Sequence, residues 1–318
     1  MQTWEWGAFQ EAQGRKVGRY IVTDDNKPIA AFTLVQHALP FGLWYGYAPR
    51  GPVIVHDAQQ EVDQVELLKT IKTWAKQEFP HLLFLRLEPP LTSLVSEVAD
   101  HGFYLPTYYV QPRFNLAIPL HLSEDEIAGT FHPSTRSNLG RAQRRGVVVE
   151  IKQAVSDADY EQFSGMMRDT IKRNSGKNAY PSHNYFRSLF STVAPIGEAR
   201  DPRTLSLGIF YGYQNGEPAG AHFVLYFGDT ATYLYGASYS DRLNSKVTTY
   251  LHWAGMREAK RLGFDYYDLG GIDESRWPSL TDFKRQFRGE EFGYIGNIDV
   301  PLRPALYHAY DLLRRRKK

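Results

Sequence analysis

The sequence predicts a mixed α/β protein, with sheets of α+β type, built as two copies of one unit. Three observations predict this. Short stretches recur 190 residues apart: Lys27-Pro28-Ile29-Ala30-Ala31 against Glu217-Pro218-Ala219-Gly220-Ala221, and Trp44-Tyr45-Gly46 against Leu234-Tyr235-Gly236. Each recurrence is followed by a helical pattern and then an aromatic strand, Leu82–Leu87 in one half and Phe264–Leu269 in the other, so order repeats as well as residues. A length of 318 residues also suits about two domains.

The elements follow from local pattern. Residues 17–23 and 29–36 alternate as a strand pair around the turn Asp24-Asp25-Asn26-Lys27. Residues 43–55 are aromatic and β-branched and are broken by Pro49-Arg50-Gly51-Pro52, which predicts two short strands. Residues 62–79 place Val65, Leu68, Ile71, Trp74 and Ala75 on one helical face. Leu82–Leu87 is a buried strand ended by Glu88-Pro89-Pro90. A second helix is expected over 91–101, stopped by Gly102, and a strand over 113–118. Ser156 and Ser182 are N-caps for helices through Arg173 and about Phe190. Strands are expected over 204–211, 218–227 and 232–238, with turns at Gln214-Asn215-Gly216-Glu217 and Gly228-Asp229. The domains expected are 1–148 and 149–300, with a helix over about 301–318 returning to the first.

The stretch from Val247 to Phe287 carries the densest chemistry. A helix with Leu251, Ala254 and Ala259 at helical spacing ends at Gly263. The strand Phe264–Leu269 runs into Gly270-Gly271, and a helix from about Ser279 bears Lys284 on its last turn. Such an order delivers polar groups to the end of a strand, where ligand sites are built.

Composition excludes several classes. There is no cysteine, hence no disulfide, thiolate zinc site or cysteine nucleophile. The ten histidines show no metal-ligand spacing, so no metal is expected. Gly-x-Ser-x-Gly and Gly-x-x-x-x-Gly-Lys are absent. No apolar run reaches membrane-spanning length, and the N-terminus lacks a signal core. A cytoplasmic protein is expected. Lys plus Arg is 37 against 35 Asp plus Glu, but the charge is clustered: Arg136, Arg141, Arg144 and Arg145 form one basic run, Arg314 to Lys318 another.

Several segments together resemble the FemABX family of peptidoglycan aminoacyltransferases. They are Leu87-Glu88-Pro89; Thr135-Arg136-Ser137-Asn138 with Arg141-Ala142-Gln143-Arg144-Arg145-Gly146-Val147; Tyr233-Leu234-Tyr235-Gly236-Ala237-Ser238 with Asn244 and Trp253; and Tyr267-Asp268-Leu269-Gly270-Gly271-Ile272 with Phe283-Lys284. The resemblance runs in order over nearly the whole chain. It implies tandem duplicated GNAT-like domains. The activity implied is transfer of an amino acid from aminoacyl-tRNA to an amine of a peptidoglycan precursor stem peptide. The acceptor is either UDP-MurNAc-pentapeptide or a lipid-linked precursor; the latter admits peripheral contact with the inner face of the membrane. No cofactor and no DNA partner are implied. Longer members carry a coiled-coil arm; here the helices at 156–173 and 182–190 leave no room for heptads, so the arm-less type is expected.

Transfer from an ester to an amine needs a neutral amine, a stabilised oxyanion and a departing ribose oxygen. Lys284 is the first candidate for the reacting centre, as a cation for the oxyanion or the leaving group; the alternative is a solvated helix lysine. Asp268 either accepts or orients the proton of the incoming ammonium, or caps the next turn. Tyr235 stacks on substrate or packs on the sheet. Arg173 holds a diphosphate or meets a helix dipole. Phe283 and Asn244 enter as substrate-binding residues through the resemblance alone. Arg136, Arg141, Arg144 and Arg145 suit a tRNA backbone or a solvated face. The coenzyme A loop, Arg or Gln-x-x-Gly-x-Gly or Ala, is missing, which argues for another acyl donor. Two rivals stay open: an acyl-CoA-dependent N-acyltransferase, and a non-catalytic RNA- or envelope-binding module.

Overall fold

The computed structural model describes residues 1–318 apart from 56–61, 94–95, 107, 175–180, 198, 200 and 316–318. In chain order come α1 (Trp4–Ala12), β1 (Val17–Asp24), β2 (Lys27–Ala38), β3 (Trp44–Ala48), β4 (Val53–Ile54), α2 (Gln64–Glu78) and β5 (Leu82–Leu87). Then follow β6 (Phe114–Pro119), α3 (Glu124–Thr130), α4 (Pro133–Arg144), β7 (Val147–Lys152), α5 (Asp157–Arg173) and α6 (His183–Thr192). The chain continues through β8 (Ser206–Gln214), β9 (Glu217–Phe227), β10 (Thr230–Ser238), α7 (Val247–Arg261), β11 (Tyr266–Ile272) and α8 (Pro278–Arg285). It closes with β12 (Glu290–Gly293), β13 (Ile298–Pro301) and α9 (Pro304–Arg315).

The chain divides into two units, Met1–Arg113 with Gly293–Lys318, and Phe114–Phe292. The first sheet has the order β1-β2-β3-β5-β13, with β4 beside β2; the second has the order β12-β6-β11-β10-β9-β8-β7. Within these, β1-β2-β3-β5-β13 and β8-β9-β10-β11-β6 share one pattern of pairing. The first three strands are antiparallel, the fourth is parallel to the third, and the fifth is antiparallel to the fourth. The two hairpins turn through positive φ at matching places, Asp25-Asn26 and Asn215-Gly216, the backbone that matches strand twist.

The units fall differently from the sequence boundary at 148. Residues 114–148 belong to the second unit because β6 pairs with β11 and β7 pairs with β8. In the first unit α2 covers one face of the sheet, burying Val65, Leu68, Ile71 and Ala75 beside Leu82, Leu85, Ile298 and Val300. In the second, α7 buries Val247, Leu251, Met256 and Ala259 against Val224, Tyr267 and Leu269.

Local signals placed α5 and α6 well: Ser156 caps α5 through a reciprocal bond with Asp159, and Ser182 caps α6. The helix expected over 91–101 is a 3-10 turn over Ser96–His101, and 94–95 lie outside the described residues. Its start cannot coil because the Leu91 carbonyl accepts from the Ile295 N–H. α1, α3, β7, β12 and β13 were not foreseen. α5 lies on β9 and β10 with Phe163, Met166 and Met167 buried; a helix sealed onto a sheet is not a projecting arm. Among the described residues no helix is long and apolar enough to cross a membrane.

Candidate active site

The site begins with a defect in the second sheet. The parallel ladder of β10 and β11 covers only Thr230–Thr232 against Tyr266–Asp268, although β10 stays paired with β9, through one register shift, as far as Ser238. On its other side β11 shifts register with β6 between Asp268 and Gly271. Gly270 makes the shift: its φ is +77°, and a Cβ there would stand 3.2 Å from the Tyr233 carbonyl oxygen. Asp268 holds the bulge in place. Its Oδ1 accepts the Gly270 N–H at 2.7 Å, and its Oδ2 accepts from Asn115 Nδ2 at 2.8 Å. The corresponding parallel pair of the first unit, β3 and β5, takes its register shift early, between Trp44 and Gly46, and stays paired to its ends at Ala48 and Leu87. Parallel strands that part at their C-terminal ends create the crevice in which α/β sheets bind ligands.

Lys284 reaches this bulge from α8, whose start is set by Pro278 at its first turn. The residue is only 4% exposed. Its Nζ donates to the Gly271 carbonyl at 2.7 Å and stands 5.8 Å from the centre of the Tyr233 ring. Behind it His252 and His222 meet at 4.3 Å, with Tyr233 at 4.6 and 4.9 Å from them. Burial pushes His222 down to about 3. Burial first, then the competing His222 ring and the Lys284 cation, hold His252 well below the usual imidazole range, so both rings are neutral at physiological pH. Burial also brings Lys284 down to about 8, with the nearby Asp268 carboxylate acting to raise it. The lysine is thus a poorly hydrated cation, a stronger donor to a developing negative charge than one in water. Gly236 keeps the floor tight: a Cβ there would collide with the His222 ring and the Tyr233 hydroxyl.

The structure thus brings together Lys284 and Asp268 and disposes of the solvated-lysine alternative. Both Asp268 oxygens are occupied in shaping the turn. Phe283 is half-buried beside them, 5.8 Å from His252 and 5.5 Å from Phe287. Tyr235 is separated from Tyr233 by a register shift in β10 and packs edge-on against Phe186 at 5.1 Å and Tyr185 at 6.0 Å. Burial raises its phenol pKa. Arg173 is exposed, and its guanidinium is tied to the end of β10. It donates to the Ser238 carbonyl at 3.2 Å and to Ser240 Oγ at 2.8 Å. Of the polar loop that follows Arg173, residues 175–178 lie outside the described residues. Asn244 is exposed in the turn before α7, and its carbonyl accepts from Arg145.

The four arginines divide into two kinds. Arg136 donates to the carbonyls of Gly129 and Phe131 at 2.9 and 2.6 Å, closing the end of α3. Arg145 is the C-cap of α4 and binds the Asn244 carbonyl. Arg141 and Arg144 are exposed on α4. Sequence reasoning missed Asn115, His222 and His252. Asn115 carried a signal, a lone amide in the otherwise apolar strand Phe114–Pro119. Its Oδ1, like His222 Nδ1, is buried without a hydrogen-bond partner among the described residues.

Duplicated sheets with one opened strand pair define a tandem GNAT-like fold. A GNAT acetyltransferase-domain profile matches residues 133–285, and a FemAB family profile matches residues 1–102. The crystal structure of FemX superposes with a TM-score of 0.79 at 18% identity, covering 97% of this chain and 93% of that one. The lipid II:glycine glycyltransferase of Staphylococcus saprophyticus is 21% identical over 387 aligned positions, covering 99% of this chain and 91% of the relative. The enzyme of the same name from Staphylococcus epidermidis is 22% identical over 266 positions, covering 65% and 63%. The chain therefore spans less than two thirds of the length of that relative. The first third of the chain thus matches the FemAB family, and nearly the whole chain is similar to FemX and to the glycyltransferase of Staphylococcus saprophyticus.

Proposed function

We propose that this chain is an aminoacyltransferase that moves an amino acid from an aminoacyl-tRNA to an amine of a peptidoglycan precursor stem peptide. The observation that carries the reading is the buried Lys284 ammonium at the Gly270 bulge, beside the parted strands β10 and β11. The precursor amine attacks the ester carbonyl and a C–N bond forms. The carbonyl oxygen becomes an oxyanion, and the Lys284 Nζ–H donates to it. Collapse breaks the ester C–O bond, the ribose oxygen leaves, and the proton lost by the attacking nitrogen goes to that oxygen. At pH 7 a lysine with a pKa near 8 is about nine-tenths protonated, so it serves as donor and not as base.

In this reading Asp268 acts by holding the bulge and offsetting the lysine charge. Tyr235, Phe283 and Asn244 border the acceptor, and Arg173 serves it by fixing the end of β10. Arg141 and Arg144 meet the tRNA backbone, while Arg136 and Arg145 brace the helix that carries them. The reaction runs on the cytoplasmic side of the membrane, where charged tRNA is found. Two relatives are named for lipid II and glycine, so a lipid-linked acceptor and glycyl-tRNA are the first pair to test.

The test is the purified chain with charged tRNA pools, offered UDP-MurNAc-pentapeptide and lipid-linked precursor separately, with products identified by mass. One added amino-acid residue on either acceptor is the expected result; no product with any pair overturns the proposal. The GNAT-domain match over residues 133–285 sustains one rival, an acyl-CoA donor. Thermal stabilisation by acetyl-CoA and not by the precursors selects that rival.

A further inference from the structure

The Asn115 amide lies in the core of the second unit, in a strand where its neighbours Leu116, Ala117 and Ile118 are apolar and buried. It is 8% exposed. Across the ladder it is paired with Gly271, whose carbonyl accepts from Lys284 Nζ. Asn115 Nδ2 donates to Asp268 Oδ2 at 2.8 Å. Its Oδ1 is buried with no hydrogen-bond partner among the described residues. A buried acceptor without a donor is costly, so packing does not account for an asparagine at this place. The bond to Asp268 does.

Asp268 and Lys284 bring a carboxylate and an ammonium into one buried bulge. Lys284 Nζ stands 3.6 Å from the place a Cβ on Gly270 would take, and the Gly270 N–H is bonded to Asp268 Oδ1. Opposite charges this close in a poorly polarisable interior attract strongly. Yet Nζ donates to the Gly271 carbonyl, and Asp268 acts on it through space. Three bonds hold the two apart: the Gly270 N–H on one carboxylate oxygen, Asn115 on the other, and the Gly271 carbonyl on the ammonium. Two of these belong to the backbone of the bulge; the third comes from β6. The other side chains around Lys284 are uncharged. Tyr233 of β10 lies 5.8 Å away, with the neutral rings of His252 from α7 and His222 from β9 behind it. Tyr267 of β11 stays protonated, because burial holds its phenol well above the usual range.

We propose that Asn115 is a positioning residue: by holding Asp268 Oδ2 it keeps the carboxylate from pairing with Lys284, and so leaves the ammonium N–H groups to a developing oxyanion. Stabilisation of a transition state needs a donor aimed at the charge that develops, and an ammonium already paired with a carboxylate is aimed elsewhere. Asn115 acts through Asp268 and touches no reacting atom. The catalytic use of this restraint rests on the proposed function, in which Lys284 is the donor; the restraint itself is a property of the resting protein.

The experiment is an NMR titration of the Lys284 ammonium in the full chain with isotope-labelled lysine, without donor or acceptor. The signal is assigned by its absence from Lys284→Met. The native midpoint is expected near 8. In Asn115→Leu the released carboxylate closes on the ammonium, and the midpoint is expected to rise by about one pH unit or more. In Asn115→Leu with Asp268→Asn no carboxylate is left to close, and the midpoint is expected below 8, where Asp268→Asn alone puts it. A rise of equal size in both backgrounds would mean that water has reached the lysine, and it overturns the proposal. So does an unchanged or lowered midpoint in Asn115→Leu. Should that variant be too unstable to titrate, Asn115→Ala carries the same comparison. The second readout is turnover: in Asn115→Leu kcat is expected to fall at least about tenfold with KM for the acceptor unchanged. A raised midpoint with native kcat overturns the assigned role. A native chain that transfers nothing sinks the proposed function while the titration still decides the restraint, and a failed titration leaves the transfer assay untouched.

Discussion

Lys284 sits where a charge is costly and useful at once. Its ammonium is desolvated, and one carbonyl 2.7 Å away is its bonded partner. Lys284→Met retains the bulk of the chain and removes the donor. Turnover is expected to fall by about 100-fold to 1,000-fold, as on loss of one oxyanion donor elsewhere, while the denaturant midpoint does not fall. The pH dependence has a definite sign. Burial sets the folded pKa near 8, below an unfolded value of about 10.4. The cost of the buried cation is therefore full below pH 8 and is relieved as pH rises from about 8 toward 10.4, so this group makes the fold firmer in alkali. Activity reports the same ionisation: with a cationic donor and an attacking amine that must be neutral, kcat/KM rises up to about pH 8 and levels off above it, the loss of donor cancelling the gain in neutral amine. A profile that keeps rising through pH 8, with no break that Lys284→Met removes, would refute the assigned role. The lysine was legible from its Phe-Lys motif and its helix. Its burial was not, because Tyr233 and His252 approach it from a strand and a helix tens of residues away in sequence.

Strand β11 carries the bulge on which the site depends, and one residue makes it possible. Gly270→Ala puts a side chain into positive φ and against the Tyr233 carbonyl. The expected cost is about 1–3 kcal/mol, read as a lower melting temperature, with a larger proportional loss of turnover because Lys284 loses its carbonyl partner's position. On α4 the consequence is electrostatic. Arg141→Glu with Arg144→Glu is expected to raise KM for charged tRNA and flatten its dependence on salt by about one phosphate contact per arginine, leaving KM for the precursor unchanged. An equal loss for both substrates would place these arginines in folding and not in docking. The sequence pattern exposed α5 and α6 of the second unit, since Ser156 and Ser182 write their own caps. It could not show the opening of β10 from β11, because periodicity describes a strand and not its neighbour.

At the scale of the molecule, duplication is the governing fact, and the two copies are not equivalent. The first keeps its parallel strands zipped and closes its sheet with β13, a strand drawn from near the end of the chain. That closure is keyed by a buried pair: Arg86 meets Asp299 through two bonds at 2.7 and 2.6 Å, and Tyr307 adds a third contact. Asp299→Ala strands the guanidinium in the core and is expected to cost about 3–5 kcal/mol. Chemical denaturation should show the loss, and proteolysis should release the segment containing α9 earlier. A midpoint shift under about 1 kcal/mol would mean that water reaches Arg86 and that the pair is not structural.

Local order was written along the chain. The type of nearly every long element, the two hairpin turns and the matching order of the halves depend on residues a few positions apart, and the 190-residue echo from Lys27 to Glu217 needed no coordinates to be seen. The crossing of the chain at residue 114, the return of β13 to the first sheet and the desolvation of Lys284 depend on partners separated by tens to hundreds of residues. Pairing across such distances is chosen by which edges and apolar faces find each other on folding, and that choice leaves no periodic trace in any single segment.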